Sequence, residues 1–211
     1  MRSYGQYCGL ARALDVVGDR WTLLIVRELL LLGPARYTDL RKGLPGIATN
    51  LLVDRLREME AAGLVAREEA PPPVATALFR LTPRGRALEP VIRALGAWAG
   101  PLMGESRADD EFRSHWLALP LELHLTDRSP GRRPVTIEVR TGDQPVVIET
   151  VGGGAVRARP GSAADPDAVL SGPPDAVLGV LMGRLPLAKA RARGVRFQGD
   201  AAAIQRVQPR R

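Results

Sequence analysis

The sequence predicts an α+β fold in two domains, residues 1–104 and 105–211. Two observations lead to this prediction. Residues 37–81 follow the order helix, tight turn, helix and two short strands, whereas the chain from residue 121 follows the order strands and then helices. The length of 211 residues and the hydrophobic content of 45% are sufficient for two small globular domains.

Composition narrows the class of protein. The formal net charge of +7 favours anionic partners, but residues 1–104 carry +4 and residues 105–211 carry +3, so charge alone does not single out nucleic acid. No apolar run reaches the ~18 residues of a membrane-spanning helix. The N-terminus lacks the apolar core of a signal peptide, and Cys8 is the only cysteine, which excludes an internal disulfide. We therefore expect a cytoplasmic protein without membrane attachment.

Two helices are predicted before residue 33. Residues 8–17 place apolar side chains on one face, and Gly18 ends this helix. We expect Asp19 to cap the next helix, over residues 21–32, by accepting backbone N–H bonds. That helix is apolar nearly all round, so it should be the central helix of its domain.

The stretch that follows has the order of a winged helix-turn-helix, which is a DNA-reading fold. Its predicted elements are helix 38–44, the Pro45–Gly46 break, helix 48–62 and strands 64–67 and 77–81, joined by the proline-rich wing tip 70–76. In the second helix, an apolar stripe from Leu52 to Met59 faces inward. Thr49, Asn50 and Val53 then face outward in the turns that meet base edges, where asparagine can bond adenine and threonine a base or a thymine methyl.

Basic side chains around this helix are predicted to contact phosphates, which fixes register without reading sequence. The predicted DNA contacts are Arg36, Thr38, Arg41, Lys42, Thr49, Asn50, Val53, Arg57, Arg67 and Arg80. The alternative is an ordinary solvated helix face. The two strands favour DNA binding because they complete a wing.

A further helix begins at Thr82–Pro83, where Thr82 is the predicted N-cap. Its apolar stripe consists of Leu88, Val91, Ile92, Leu95, Trp98 and Ala99. A small domain has too little surface to cover this whole stripe, so we expect it to pair with a second copy. The resulting two-fold homodimer would suit the two half-sites of a roughly palindromic operator in double-stranded DNA.

This half contains several motifs in order: Cys8, Gly18 to Ile25, Tyr37 to Leu40, Leu44 to Ile47, Leu52, Arg55–Leu56, Leu64–Val65, Phe79 and Leu81 to Gly85. Over residues 4–102, these motifs resemble those of the HxlR-type winged-helix transcription regulators. The resemblance implies a DNA-binding homodimer whose first and last helices in this half form the interface. Cys8 matches a cysteine that some members use as a redox sensor; the alternative is a small apolar residue buried in the dimer interface.

Two departures from the family pattern affect the DNA contacts. Ala48 occupies the position where the family usually has a serine or threonine N-cap, so we expect Thr49 to take over the capping role. The wing tip contains no lysine or arginine, which removes the usual basic contact.

The second half is predicted to contain an antiparallel sheet followed by helices. The predicted strands are 121–126, 134–140, 146–151 and 155–158; the later elements are helices 176–183 and 186–193, a short strand 195–197 and a helix from Asp200. Residues 117–207 resemble sterol-carrier-protein-like domains, most clearly from Asp165 onward. The resemblance implies an apolar tunnel for a hydrophobic small molecule, with Trp116, Val177, Leu181, Met182, Leu185 and Phe197 as lining candidates. The alternative is that these side chains only fill a core.

The sequence offers no catalytic constellation, cofactor motif or metal site. His115 and His124 are the only histidines, and Gly152 to Gly154 lacks the residues that complete a phosphate-binding loop. We therefore expect a non-enzymatic, dimeric transcriptional regulator that responds to a hydrophobic ligand. Repression is the expected sign, because blocking a promoter needs no contact with polymerase. The alternative is a hydrophobic-ligand carrier in which the first half mainly dimerises the chain.

Overall fold

The computed structural model describes residues 3–69, 76–103 and 109–209. The chain divides into two compact units, Met1–Ala94 and Leu95–Arg211. The domain boundary predicted after residue 104 and most of the predicted wing tip lie outside the described residues.

The first unit contains the predicted helices and the two predicted wing strands in order, together with a short strand, β1, that was not predicted. Its elements are α1 (Gly9–Val17), α2 (Thr22–Leu32), β1 (Ala35–Arg36), α3 (Tyr37–Lys42), α4 (Thr49–Ala61), β2 (Val65–Glu69), β3 (Ala77–Leu81), α5 (Pro83–Arg86) and the first part of α6 (Glu89–Trp98), a helix that crosses the boundary between the two units. The three strands form an antiparallel sheet in the order β1-β3-β2, with Val65 opposite Leu81. The helix predicted from Thr82 is divided into α5 and α6, and Thr82 caps α5 by accepting a hydrogen bond from the Gly85 N–H at 3.1 Å.

Helix α2 is the central helix of this unit, as predicted. Ile25, Val26 and Leu29 are at most 1% exposed, and they join one core with apolar residues of α3, α4 and the sheet. The expected capping role of Asp19 is wrong. The N-cap of α2 is Trp21, in the left-handed region with φ of 83°, and the Asp19 carboxylate instead forms an ion pair with Arg55.

The second unit is built on a five-stranded sheet. Its elements are α7 (Ala118–His124), β4 (Thr136–Thr141), β5 (Gln144–Thr150), β6 (Val156–Pro160), β7 (Ala168–Ser171), α8 (Pro174–Leu181), α9 (Leu187–Arg191), β8 (Arg196–Gly199) and α10 (Ala201–Arg206), with short 3-10 turns at Gly100–Leu102, Ser114–Leu117 and Gly152–Gly154. The strand order is β6-β5-β4-β7-β8. Helices α8 and α10 pack against β4, and α7 packs against β6.

Two predictions for this unit are wrong. The segment predicted as strand 121–126 is mostly helix α7, because Leu121 and Leu125 are four residues apart and both buried, which fits a helical period as well as an alternating one. The sheet is mixed rather than antiparallel, because β7 pairs in parallel with β4, with Ile137 opposite Ala168. The antiparallel pairing of β4, β5 and β6 agrees with the prediction.

Buried charges hold the connections of this sheet in place. The Glu138 carboxylate on β4 is 1% exposed and accepts hydrogen bonds from the Ala163 N–H at 2.7 Å and from Arg140 Nε at 2.5 Å. This ties the connection between β6 and β7 to the central strand. Asp127 accepts from Arg206 Nε at 2.6 Å and Nη2 at 2.8 Å, which fixes the end of α10 to the segment before β4.

The Asp127–Arg206 pair predicts a pH dependence of stability. The hydrogen bond from Arg206 lowers the pKa of Asp127 below its ordinary value of 3.8. The contribution to stability is therefore fully present above pH 3.8 and is lost as the pH falls through the folded-state pKa. At neutral pH, Asp127→Asn should destabilise the second unit by about 3 kcal/mol, since it leaves a largely buried guanidinium without its counter-charge.

Urea denaturation from pH 7 downward would measure this effect. The difference in the free energy of unfolding between wild type and Asp127→Asn should narrow as the pH falls well below the ordinary carboxyl pKa. Asp165→Asn, which changes an exposed carboxylate in the same unit, serves as the control and should behave like wild type. A constant difference across the whole pH range would contradict the assignment.

Candidate nucleic-acid interface

Helix α4 presents two different faces. Leu52, Leu56 and Met59 are at most 2% exposed and belong to the core of the first unit. On the other side, Thr49 and Asn50 are exposed and Val53 is half-buried. The structure therefore brings the three predicted base-contacting residues together on the outer face of the first two turns.

The N-cap of α4 is not the residue that the sequence predicts. The N-cap is Ala48, which makes no side-chain capping bond, and Thr49 is the first helical residue. The expectation that Thr49 would take over capping is therefore wrong. The hydroxyl of Tyr37 donates to the Thr49 carbonyl at 3.0 Å. This bond joins the first residue of α3 to the first residue of α4, a positioning contact that the sequence pattern did not indicate.

The turn between α3 and α4 contacts an ion pair with a buried carboxylate. Glu28 is fully buried, and its Oε1 accepts from Arg27 Nη2 at 2.7 Å. The same guanidinium nitrogen donates to the Gly43 carbonyl at 3.3 Å. A Cβ at position 43 would overlap the Glu28 carboxylate, so only glycine fits this turn without displacing the ion pair. In the sequence, Arg27 and Glu28 stand out only as interruptions of an apolar helix.

Arg55 anchors the middle of α4. Its guanidinium forms ion pairs with Asp19, in the loop between α1 and α2, and with Glu58 at 2.6 Å. The Arg55 side chain is 15% exposed, whereas those of Asp19 and Glu58 are 50% and 42% exposed, so solvent screens both pairs. The ion pair between Asp19 and Arg55 joins the middle of α4 to the loop between α1 and α2.

The predicted phosphate contacts surround this helix and are exposed. Arg36 precedes α3, Thr38 lies in its first turn, and Arg41 and Lys42 lie in its last turn. Further basic residues differ in their ion pairing. Arg57 lies 3.7 Å from Asp54, whereas Arg80 Nε donates to Glu68 Oε2 at 2.7 Å across the wing strands. Arg67 is exposed on β2, whereas the charge of Arg80 is balanced by Glu68.

Comparison with known proteins identifies the family of this arrangement. A model described as HxlR-like helix-turn-helix matches residues 16–107. The uncharacterized HTH-type transcriptional regulator YkvN of Bacillus subtilis is 32% identical over 108 residues, which is 50% of this chain and 88% of that protein. The chain belongs to the HxlR-like helix-turn-helix family. A second relative, the HTH-type transcriptional regulator YodB of Bacillus subtilis, is 33% identical over 87 residues, which is 41% of this chain and 77% of that protein. A solved structure of the reduced form of YodB has 29% identity and a TM-score of 0.41, and the match covers 48% of this chain and 100% of that one.

This HxlR-like chain exposes large apolar side chains near its N-terminus and along α6. Tyr7 is fully exposed, and Leu10 on α1 is 69% exposed. Helix α6 has no buried residue; Val91 and Leu95 are 44% and 45% exposed and Trp98 is 72% exposed. Single exposed apolar residues are normal in soluble proteins, whereas a series along one helix is typical of an interaction surface.

Cys8 lies immediately before α1 and is exposed. Hydrogen bonding from the backbone N–H groups of Ala11 and Leu10 lowers the pKa of its thiol from the ordinary value of 9.0. The thiolate is the form that reacts with electrophiles and oxidants, and a lowered pKa increases its fraction. The sensing role of Cys8 stays a prediction.

The lowered pKa gives a direct test. The rate of alkylation by iodoacetamide should reach half of its maximum at a lower pH for the folded protein than for the same protein in urea. Because Cys8 is the only cysteine, the unfolded chain is the internal control, and Cys8→Ser gives the background. Coincident pH profiles for the folded and unfolded chain would contradict the shift.

The second unit contains a cavity of about 400 Å³. Its lining residues are Arg128, Val180, Gly183, Leu185, Pro186, Leu187, Ala201, Ile204, Gln205 and Gln208. Of the six predicted lining residues, only Leu185 is in this set. Val177 and Leu181 are fully buried in the core, and the remaining three are half-buried: Trp116, Met182 and Phe197.

The part of the chain that the structure describes shows neither a metal-holding cluster nor a membrane-spanning helix. In the described ranges, no group of three or more histidine, cysteine or acidic residues is placed to hold a metal ion. None of the described helices has the length and apolar character needed to cross a membrane.

Proposed function

We propose that this HxlR-like protein is a homodimeric repressor that reads a roughly palindromic operator with α4. The observation that supports this most directly is the exposed face formed by Thr49, Asn50 and Val53 on a helix whose opposite face is buried. A recognition helix must be held rigidly for its side chains to reach base edges in register. The contacts of Tyr37 and Arg55 supply that support at the start and in the middle of α4.

Each side chain on this face has a chemical role in the proposal. Asn50 would bond the N6 and N7 edge of adenine, Thr49 would bond a base, and Val53 would contact a thymine methyl. The exposed cations at both ends of α3 and on β2 would contact phosphates, which position the helix without reading sequence. Arg80 would contribute less, because Glu68 already balances its charge.

The apolar residues of α1 and α6 support a dimer interface with a second copy of this chain. Introducing a charge there should separate the protomers, because an unpaired carboxylate in an apolar interface is strongly unfavourable. We expect Leu95→Glu combined with Trp98→Glu to give a folded monomer in sedimentation velocity. Ala97→Glu, on another face of the same helix, should remain dimeric. A double variant that stays dimeric at micromolar concentration would place the interface elsewhere.

The cavity in the second unit supports regulation by a hydrophobic small molecule. Its volume falls within the range of small-molecule sites, and Val180, Leu185, Leu187 and Ile204 give it apolar walls. To switch the protein from mostly bound to mostly released, the ligand must bind one state ~10⁴-fold more tightly than the other. The same cavity supports a second candidate function, in which the protein carries hydrophobic molecules. In that case the first unit would serve only for dimerisation.

Binding to a fluorescent duplex from the DNA upstream of the protein's own gene separates the two functions. A regulator should bind this duplex tightly, prefer it to scrambled DNA and lose affinity steeply with salt. Apolar metabolites can then be screened for release of the duplex. Weak binding without preference, on this duplex and on genomic fragments, together with ligand uptake that is lost in Ile204→Trp, would favour the carrier.

A further inference from the structure

The second unit carries a group of cations that are close together in sequence around α9. Between Asp175 and Asp200 the sequence contains no acidic residue. The same stretch contains five basic residues, here named the α9 cluster: Arg184, Lys189, Arg191, Arg193 and Arg196. All five side chains are exposed. Residues 105–211 have a net charge of +3, so without the α9 cluster the rest of this half would be net negative.

The α9 cluster differs from the other arginines of this unit in its ion pairing. Many of the others pair with a carboxylate: Arg113, Arg133, Arg140, Arg159 and Arg206. Across residues 109–209, no ion pair involves a residue of the α9 cluster. Its charges are therefore available to an external anion.

The backbone that presents these cations is well fixed. After α9, the Val195 N–H donates to the Ala190 carbonyl and the Gly194 N–H donates to the Arg191 carbonyl, both at 3.1 Å. Ala190 and Val195 are 0% and 3% exposed, so the turn is anchored in the core. Stabilisation of the helix C-terminus by nearby cations explains Lys189 and Arg191. It does not explain the other three residues of the α9 cluster, which lie outside α9.

The surroundings of the α9 cluster indicate what kind of partner it fits. Among residues 109–209, Leu123 is the only large apolar side chain that is exposed, at 38%, and it is not in this stretch. Membrane surfaces and protein partners are typically bound by cations together with exposed apolar or aromatic residues. A phosphate backbone requires only positive charge, and the guanidinium fork matches phosphate oxygens in a bidentate way.

We propose that the α9 cluster is a second DNA-contacting surface, which binds the phosphate backbone of the duplex that α4 reads. This inference rests on the proposed DNA-binding function. Once the first unit is bound, the second unit is tethered near the same duplex, so modest phosphate contacts add to affinity at high effective concentration. The contacts are independent of base sequence, so they strengthen operator and flanking DNA binding alike.

The salt dependence of DNA binding tests the α9 cluster directly. Arg193→Gln combined with Arg196→Gln removes two charges outside α9 and leaves the helix itself unchanged. The slope of log K against log salt should become shallower by about 1.8, since each phosphate contact contributes ~0.9 on B-form DNA. The matched control is Arg132→Gln combined with Arg157→Gln, two exposed arginines of the same unit with the same change in net charge. Its slope should equal that of wild type on the same long duplex.

The outcomes separate this inference from the proposed function. If wild type binds DNA but the Arg193/Arg196 variant keeps the full slope, the α9 cluster is not a DNA surface. An equal decrease of the salt slope in both double variants would also overturn the inference, because the decrease would then reflect net charge alone. If wild type does not bind DNA specifically, the proposed function fails and the inference fails with it. Loss of binding to phosphatidylserine vesicles with an unchanged DNA slope would reassign the α9 cluster to a membrane surface.

Discussion

Gly85→Ala should destabilise the first unit by about 3 kcal/mol or more, the upper range for overpacking a well-packed site. Gly85 is buried in α5, and a Cβ there would overlap the backbone carbonyl of Leu64 and approach Leu81. A backbone carbonyl cannot rotate away as a side chain can. The N–H of Gly85 also donates to the Thr82 hydroxyl, so any shift would loosen the cap of α5.

Thermal denaturation followed by circular dichroism would measure this loss. Gly96→Ala is the matched control, because its added Cβ would meet no atom within 4 Å in this structure. In that helical position alanine should be neutral or stabilise by about 0.5–1 kcal/mol. Equal stability of the two variants would contradict the packing described for α5.

Thr49→Ala combined with Asn50→Ala should weaken operator binding by at least about 30-fold, since each base-reading contact contributes ~1–3 kcal/mol of discrimination. Both side chains are neutral, so binding to scrambled DNA and the salt slope should change little. Fluorescence anisotropy with operator and scrambled duplexes measures both effects. Thr126→Ala combined with Gln144→Ala, at half-buried sites in the second unit, makes a similar truncation away from α4 and should bind like wild type. Unchanged operator affinity in the Thr49/Asn50 variant would refute the assignment of α4 as the recognition helix.

The helices and faces of the first unit could be predicted because they depend on local periodicity. The spacing of Leu52, Leu56 and Met59 fixes which side of α4 is buried, and the structure agrees. The contacts that hold α4 could not be predicted, because they join residues far apart in the chain. Arg55 reaches Asp19 across 36 positions, and Tyr37 reaches Thr49 across 12.

The second unit was predicted less well for two physical reasons. A segment as short as 121–126 fits both a strand and a helix, and its neighbours decide which one forms. The parallel pairing of β4 with β7 depends on a connection that passes to the other side of β4, which no local pattern encodes. The lining of the cavity likewise depends on where α10 packs, since Ile204 and Gln205 come from that helix. The sequence alone does not distinguish apolar residues of α8 that fill the core from residues that line the cavity.

The central claim is that this chain reads a two-fold symmetric DNA site through α4. Selection of bound duplexes from a random-sequence library tests it directly, because the library contains every candidate half-site. We expect enrichment of an inverted repeat whose half-sites are about 10 base pairs, or a multiple, apart between centres. The Thr49→Ala/Asn50→Ala variant, selected in parallel, should lose that enrichment. A wild-type pool that remains as random as the starting library would contradict the claim.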